Sequence, residues 1–435
     1  MNWKITPAKA PLKGDIKVPA DKSVSHRAVM FGSISRGKCT VSNFLSGEDC
    51  LRTVEAFRSM GIDITANGDD LVIEGKGLKG LKAPGRDIYM GNSGTSMRII
   101  PGVLAAQDFT VKLTGDASLS TRPMKRVMEP LARMGAEIGS MDGHAPLVVK
   151  GRGRTLEAIH YDLPVASAQV KSCVLAAGLY ADGVTSVTEP FPSRDHTERM
   201  LLYLSADITT AGLTTRITGL KELEPKHIDV PGDISSAAFW IVAATIVEGS
   251  RVILRDVGLN PTRRGIIDVI TRMGGNIKVL DLKEGVEPRA DIEVRYARLK
   301  GTVVEENEIP LLIDEIPVLS VAAALAEGKT VIKGIKELKV KETDRVKGMV
   351  EALSALGASA AEEGDKLVIY GDTTFFKPAN LKSRGDHRMA MSGSVAALVS
   401  EGVSTVSDTA CVETSYPGFL SDMGRIAGSV YSIHP

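Results

Sequence analysis

Apolar and polar positions follow two rhythms along this chain, and the two recur together. The first is a run rich in Ala, Val, Leu and Ser. It opens on a small or acidic residue suited to capping a helix and usually closes at a Gly, beyond which a β-branched stretch begins. Six copies occur: Ser25-His26-Arg27 to Gly37, Ser93-Gly94-Thr95 to Gln107, Ser167-Ala168-Gln169 to Gly183, Ser235-Ser236 to Gly249, Asp314-Glu315 to Gly328, and Asp386-His387 to Gly402. Their openings lie about 70 residues apart, the beat of a repeated structural unit. The second rhythm is an apolar helix ending at Met60-Gly61, Met134-Gly135, Met273-Gly274, Leu356-Gly357 and Met423-Gly424, with Leu204-Ser205 in the remaining place. Two markers in register make a chance pattern a poor explanation.

Each unit therefore reads strand, helix, strand, helix, strands. The first helix of a unit is apolar nearly all round and is predicted to be buried; the second is amphipathic, as from Arg122 to Met134 with Pro123 in its first turn. Six units divide into two halves of three, with the Val230-Pro231-Gly232 turn as the expected crossover.

Charge and composition narrow the function classes. Lys+Arg and Asp+Glu both number 53, so net charge gives no argument for nucleic acid or an anionic membrane. Aromatics are only 4%, too few to suggest a base-stacking surface. Met1 to Pro7 lacks the apolar core of a signal peptide, and no apolar run is long enough to span a bilayer. Cys39, Cys50, Cys173 and Cys411 form no Cys-x-x-Cys pair, which fits a reducing cytoplasm and no structural zinc. No phosphate-binding Gly-x-x-x-x-Gly-Lys-Ser/Thr loop and no Gly-x-Ser-x-Gly elbow occur.

Any taste for anions must then be local, and the helix openings supply it. A helix N-terminus offers unpaired N–H groups and the positive end of its dipole. Here cations cluster at the same point of several repeats: Lys22 and Arg27, Arg98 after Gly91-Asn92-Ser93-Gly94, Lys171, Arg388, and Lys341-Glu342-Thr343-Asp344-Arg345. If the units pack with pseudo-symmetry, these openings converge as a site for phosphates and carboxylates.

The segment Asp21-Lys22-Ser23-Val24-Ser25-His26-Arg27 resembles the opening motif of the 5-enolpyruvylshikimate-3-phosphate synthase family, the 3-phosphoshikimate 1-carboxyvinyltransferases. Gly91 to Arg98, Lys341 to Arg345 and Asp386-His387-Arg388-Met389-Ala390 resemble three further signatures in the family's order. Gly115-Asp116-Ala117-Ser118-Leu119 with Arg122-Pro123-Met124, and Arg194-Asp195-His196-Thr197-Glu198, look like its class II branch. The resemblance runs from about residue 4 to the C-terminus and implies an α/β fold. That fold is the two-domain enolpyruvyl transferase architecture, with six βαβαββ repeats, three per domain, and mixed sheets around buried helices. Residues 1–20 with 231–435 would form a discontinuous C-terminal domain and 21–230 the N-terminal one, hinged across an active cleft.

The implied reaction moves the enolpyruvyl group of phosphoenolpyruvate to the 5-hydroxyl of shikimate 3-phosphate and releases phosphate by addition and elimination. No metal or organic cofactor is implied. A cytoplasmic monomer of the shikimate pathway, a glyphosate target, is expected, with no nucleic-acid or membrane partner. By similarity Asp314 accepts the hydroxyl proton, Lys22 is general acid or electrostatic partner, and Glu342 exchanges the methylene proton. Shikimate 3-phosphate is assigned Lys22, Ser23, Arg27, Ser167, Ala168, Gln169, Arg194, Asp314 and Lys341. Phosphoenolpyruvate is assigned Lys22, Gly94, Arg122, Gln169, Arg345 and Arg388. Ala168 stands where many relatives have Ser, so only its backbone can bind; Thr414 replaces a Lys of the better-known branch and His196 a Tyr. The fourth opening, at Ser235, reads as mainly structural. UDP-N-acetylglucosamine 1-carboxyvinyltransferase is the nearest rival, but that family typically opens with Lys-Asn and has a loop Cys, absent from Asp116 to Arg126 here. An RNA 3′-phosphate cyclase fits less well because aromatic content is low, and a non-catalytic relative because Lys22, Asp314 and Glu342 occur together.

Overall fold

A computed structural model describes residues 1–151, 153–371 and 374–434. The chain divides into two compact units, Met1–Pro19 with Pro231–Pro435, and Ala20–Val230. Among the described residues six four-stranded sheets form, three in each unit, with one shared order. In the second repeat the edge strand Ile88–Tyr89 runs parallel to Thr110–Thr114, which pairs antiparallel with His144–Lys150, itself paired antiparallel with Glu137–Met141. The apolar helix Gly94–Leu104 is the crossover between the two parallel strands, and the amphipathic helix Lys125–Arg133 precedes the antiparallel pair. This is the βαβαββ unit that the periodicity predicts.

Three strands depart from chain order. Lys13–Lys17 leads into the first core helix but pairs parallel with Arg251–Gly258, after the fourth. His227–Asp229 leads into the fourth core helix but pairs with Arg36–Ser42, after the first. The N-terminal strand Asn2–Ile5 lies between Ser404–Ser407 and Tyr431–His434, so the last repeat is completed by the first residues of the chain.

The six core helices are Lys22–Ser33, Gly94–Leu104, Ala168–Gly178, Ile234–Ile246, Ile316–Ala324 and His387–Ala397. Their small residues let backbones approach: a Cβ on Gly102 of the second would lie 2.3 Å from the carbonyl oxygen of Cys173 in the third. In the unit that holds both termini, Trp240 of the fourth helix stacks on Phe419 at 5.0 Å and donates its indole N–H to the Tyr416 hydroxyl at 2.7 Å. Trp3 stacks on the same Phe419, tying the N-terminal strand to the last helix.

Several helix boundaries differ from the sequence reading, each for a local reason. The first core helix starts a turn before Ser25, because the Asp21 carboxylate accepts from the Val24 N–H at 2.9 Å. The fourth is capped by Asp233, which accepts from the Ser235 N–H. The amphipathic helix of the second repeat begins at Lys125, so Pro123 precedes it; Arg122 is anchored instead to Asn92 and Ser118. Gly61, Gly135, Gly274 and Gly357 end their helices with φ between 83° and 98°, the left-handed conformation that glycine adopts without strain. Ser205, in the place where glycine is missing, adopts the same conformation at φ 65°. Gly424 does not end its helix, which continues to Ala427 and stops before Gly428 at φ 77°. Among the described residues no helix is long and apolar enough to cross a membrane.

Candidate active site

In the Ala20–Val230 unit the starts of the first three core helices carry the cations. Lys22 opens the first, with its ammonium 3.4 Å from Asp49 on the neighbouring helix Glu48–Ser59 and its side chain 18% exposed. Ser23 follows, half-buried, and its carbonyl accepts from the Arg27 guanidinium at 3.0 Å. Arg27 is buried and donates further to Thr197 at 2.6 Å and Ser172 at 2.9 Å, joining three helices.

Gly94 opens the second core helix, capped by the Ser93 hydroxyl. A Cβ at Gly94 would lie 3.0 Å from Arg98 Nη1 and 3.1 Å from Arg122 Nη1, so the missing side chain is what leaves room beside two guanidinium groups. Arg122 is held by the Asn92 carbonyl and side-chain oxygens. Ser167 caps the third helix; Ala168 and Gln169 are its first residues, half-buried. Arg98 donates to the Gln169 side-chain oxygen at 2.7 Å, fixing which amide end Gln169 presents. Arg194 lies half-buried on the segment entering helix His196–Tyr203.

Lys171 does not join this group. Its ammonium is buried 2.6 Å from Glu189 and 2.7 Å from Glu198. Burial opposes its charge, but the two carboxylates outweigh burial and raise its pKa. The cation that looks like a ligand by its place in the repeat is a structural one.

A second charge cluster lies in the unit that holds both termini. Asp314 sits between the short helix Ile309–Leu312 and the fifth core helix. One of its oxygens is 3.0 Å from Arg345 Nη1 and 3.8 Å from Lys341 Nζ; the other is 3.8 Å from both Arg388 Nη2 and Arg263 Nη1. Lys341 and Glu342 precede helix Arg345–Ala355 rather than lying in it, since Asp344 caps that helix.

Arg345 is fully buried and binds three carboxylates: Glu342 at 2.6 Å, Asp386 at 2.8 Å and Asp314 at 3.0 Å. Burial works against its charge, yet Asp386, Glu342 and Asp314 together push its pKa far upward. Glu342 and Arg345, three residues apart, thus pair at a buried hub. Arg388, in the first turn of the sixth core helix, donates to the Asp314 carbonyl at 3.3 Å.

The structure thus gathers Lys22, Ser23 and Arg27 in one group, Gly94, Arg122 and Gln169 around Arg98 in another, and Asp314, Lys341, Glu342, Arg345 and Arg388 in a third. It adds residues that the motif reading did not assign: Asp49 against Lys22, Arg98 on Gln169, Asp386 on Arg345, and Arg263 on Asp314. Asp386 and Arg98 lie inside the recognised motifs; Asp49 and Arg263 gave no signal beyond an acidic helix start and an Asn-Pro turn.

A family model described as EPSP synthase (3-phosphoshikimate 1-carboxyvinyltransferase) matches residues 7–423. The 3-phosphoshikimate 1-carboxyvinyltransferase of Geobacter sulfurreducens is 52% identical over 424 residues, covering 97% of this chain and 98% of its own. That of Geotalea uraniireducens is 51% identical over 427 residues, covering 98% of this chain and 99% of its own. The solved EPSP synthase of Acinetobacter baumannii superimposes with a TM-score of 0.89 at 46% identity, each chain covered completely. The architecture is that of a two-domain enolpyruvyl transferase. The chain belongs to the EPSP synthase family. Its reaction is transfer of the enolpyruvyl group of phosphoenolpyruvate to shikimate 3-phosphate, in aromatic amino-acid biosynthesis.

Proposed function

We propose that Asp314, Glu342 and Lys22 carry the proton transfers of this reaction, with the surrounding arginines binding its phosphates and carboxylate. The observation that supports this most is that Asp314 and Glu342 share one buried guanidinium, Arg345, at 3.0 and 2.6 Å. Addition joins the 5-oxygen of shikimate 3-phosphate to the phosphate-bearing carbon of phosphoenolpyruvate. Asp314 takes the hydroxyl proton while Glu342 gives one to the methylene carbon. Elimination then breaks the carbon–oxygen bond to phosphate, the methyl group of the intermediate returns a proton to Glu342, and the proton on Asp314 is released as inorganic phosphate departs. Lys341, Arg345 and Arg388 lie within 4 Å of the Asp314 carboxylate, and nearby cations favour the charged form that a base requires.

Lys22 serves as general acid or as a fixed positive charge beside the departing phosphate. Shikimate 3-phosphate is assigned to Lys22, Ser23, Arg27, the Ser167-Ala168-Gln169 helix start, Arg194, Asp314 and Lys341. Phosphoenolpyruvate is assigned to Lys22, Gly94, Arg122, Gln169, Arg345 and Arg388. We place the protein in the cytoplasm as a monomer. Its four free cysteines support a reducing compartment.

Phosphate release tests the reading. With phosphoenolpyruvate present, release should require shikimate 3-phosphate and should not occur with UDP-N-acetylglucosamine. Glu342→Gln should slow solvent-deuterium entry into the methylene group together with turnover. Parental exchange in that variant would remove Glu342 from the proposal.

A further inference from the structure

The fourth core helix, whose opening at Ser235 reads from sequence as structural, takes part in a buried charge cluster that reaches Asp314. Arg263 is only 3% exposed. Its Nη2 donates to the Ser235 hydroxyl and lies 3.6 Å from Asp233 and 3.7 Å from Glu315. Its Nη1 lies 3.8 Å from Asp314 Oδ2. The Ser235 hydroxyl in turn donates to Glu315, so one side chain ties Arg263 to the residue next to Asp314.

We propose that Arg263 is a positioning residue for the transfer: it fixes the orientation of the Asp314 carboxylate and supplies a counter-charge beside it. This rests on the role of Asp314 as the accepting base.

The two Asp314 oxygens face different cations. Oδ1 faces Lys341 and Arg345; Oδ2 faces Arg388 and Arg263. Three of these four are assigned to substrate anions, whose charge would draw part of their attraction away from Asp314 as substrates bind. Arg263 is assigned to no substrate, is almost wholly buried, and therefore gives Asp314 a counter-charge that does not change during turnover. Further charged neighbours among the described residues are Asp233 and Glu315 against Arg263, Glu315 against Arg388, and Glu342 and Asp386, linked to Asp314 through Arg345.

The backbone around Arg263 is as fixed as its side chain. The Asn260-Pro261-Thr262-Arg263 turn closes with an Arg263 N–H to Asn260 carbonyl bond of 2.8 Å. The Asn260 side chain accepts from the Thr262 N–H at 2.8 Å and donates to Glu287 at 2.8 Å. A base must be held in line with its proton, and a loose carboxylate loses rate without losing substrate affinity.

The test is the pH profile of kcat. An ionised base makes the rate fall as pH drops through its pKa, and removal of a nearby cation raises that pKa. Arg263→Gln should lower kcat about tenfold with little change in either KM, and move the acid limb up by about one pH unit. Arg263→Lys, which keeps the charge but not the fork, should restore the acid limb and part of kcat. A Gln profile that overlays the parent, or a change confined to KM, overturns the inference, as does a Lys variant no better than Gln. If Arg263→Gln does not fold, Arg263→Lys decides: reduced kcat at parental KM supports the proposal, and parental kcat overturns it. Asp314→Asn is the companion measurement. Full turnover there removes the base reading and this inference together; a dead Asp314→Asn beside an unmoved Arg263→Gln profile removes this inference alone.

Discussion

Replacing Lys171 by Met should destabilise this protein more than removal of the part-exposed Lys22, which has one carboxylate beside it. Its ammonium lies 2.6 Å from Glu189, 2.7 Å from Glu198 and 3.4 Å from the Ser193 carbonyl. The three side chains are 2%, 7% and 9% exposed, so the solvent screening that weakens surface pairs is largely absent. Methionine keeps the apolar stem but leaves two carboxylates buried without their shared cation. Breaking a buried ion pair from one side costs roughly 3–5 kcal/mol. At about 2–4 °C per kcal/mol for a unit of this size, Tm should fall by about 10 °C.

Differential scanning calorimetry at pH 7.5 measures this. The loss should shrink as pH falls, because protonating the stranded carboxylates relieves the buried charge. Adding Glu189→Gln and Glu198→Gln to Lys171→Met should recover most of it, since neutral replacement of a whole buried pair is often close to neutral in energy. Glu198 lies in the first turn of the helix whose Thr197 accepts from Arg27, so KM for shikimate 3-phosphate should rise in the single variant. A Tm loss below about 2 °C, or a triple variant no more stable than the single, would refute the buried-charge account.

Three further outcomes follow from the same geometry. His26 is fully buried beside Thr53 at 2.7 Å, and burial, with Lys22 and Arg27 nearby, holds its pKa well below 6.5; the unfolded chain therefore binds the proton more readily, and unfolding free energy should drop by about 1.4 kcal/mol per pH unit below about 6.5, a slope that His26→Asn removes in denaturant titrations. Gly94→Ala places a methyl about 3 Å from the Arg98 and Arg122 guanidinium ends; these flexible ends can yield, so Tm should hold while KM for phosphoenolpyruvate rises several-fold, and an unchanged KM would exclude Gly94 from the donor site. Lys22→Ala should cut phosphate release by about two to three orders of magnitude, since a positioned cation is lost at the reacting centre, and near-parental turnover would remove Lys22 from the mechanism.

Much of this architecture is legible along the chain because it is local. Apolar-all-round runs such as Ile234–Ile246 become core helices, and amphipathic runs become the helices beside them. The glycine that ends four of the amphipathic helices marks a left-handed turn that few other residues adopt at no cost, and Ser205 shows that the fold imposes the turn even where glycine is absent. The helix starts were less legible, because a cap one turn upstream, as at Asp21, wins by satisfying backbone donors that an apolar pattern does not register.

What the sequence determined, then, is the six-fold repeat, the nature of each helix, and the motifs that belong to the EPSP synthase family. Tertiary structure decided which strand completes which sheet. Lys13–Lys17 and His227–Asp229 pair across more than two hundred and nearly two hundred positions respectively, a choice that no local pattern encodes. It also decided what each charge does. Lys22 and Lys171 occupy comparable openings, yet one stands part-exposed beside Asp49 and the other is sealed between Glu189 and Glu198. Arg263 carries no motif and still faces Asp314. Helix and turn formation depend on neighbours along the chain, whereas the strength and partner of a charge depend on desolvation and on distances of a few ångströms through space, which only the folded chain sets.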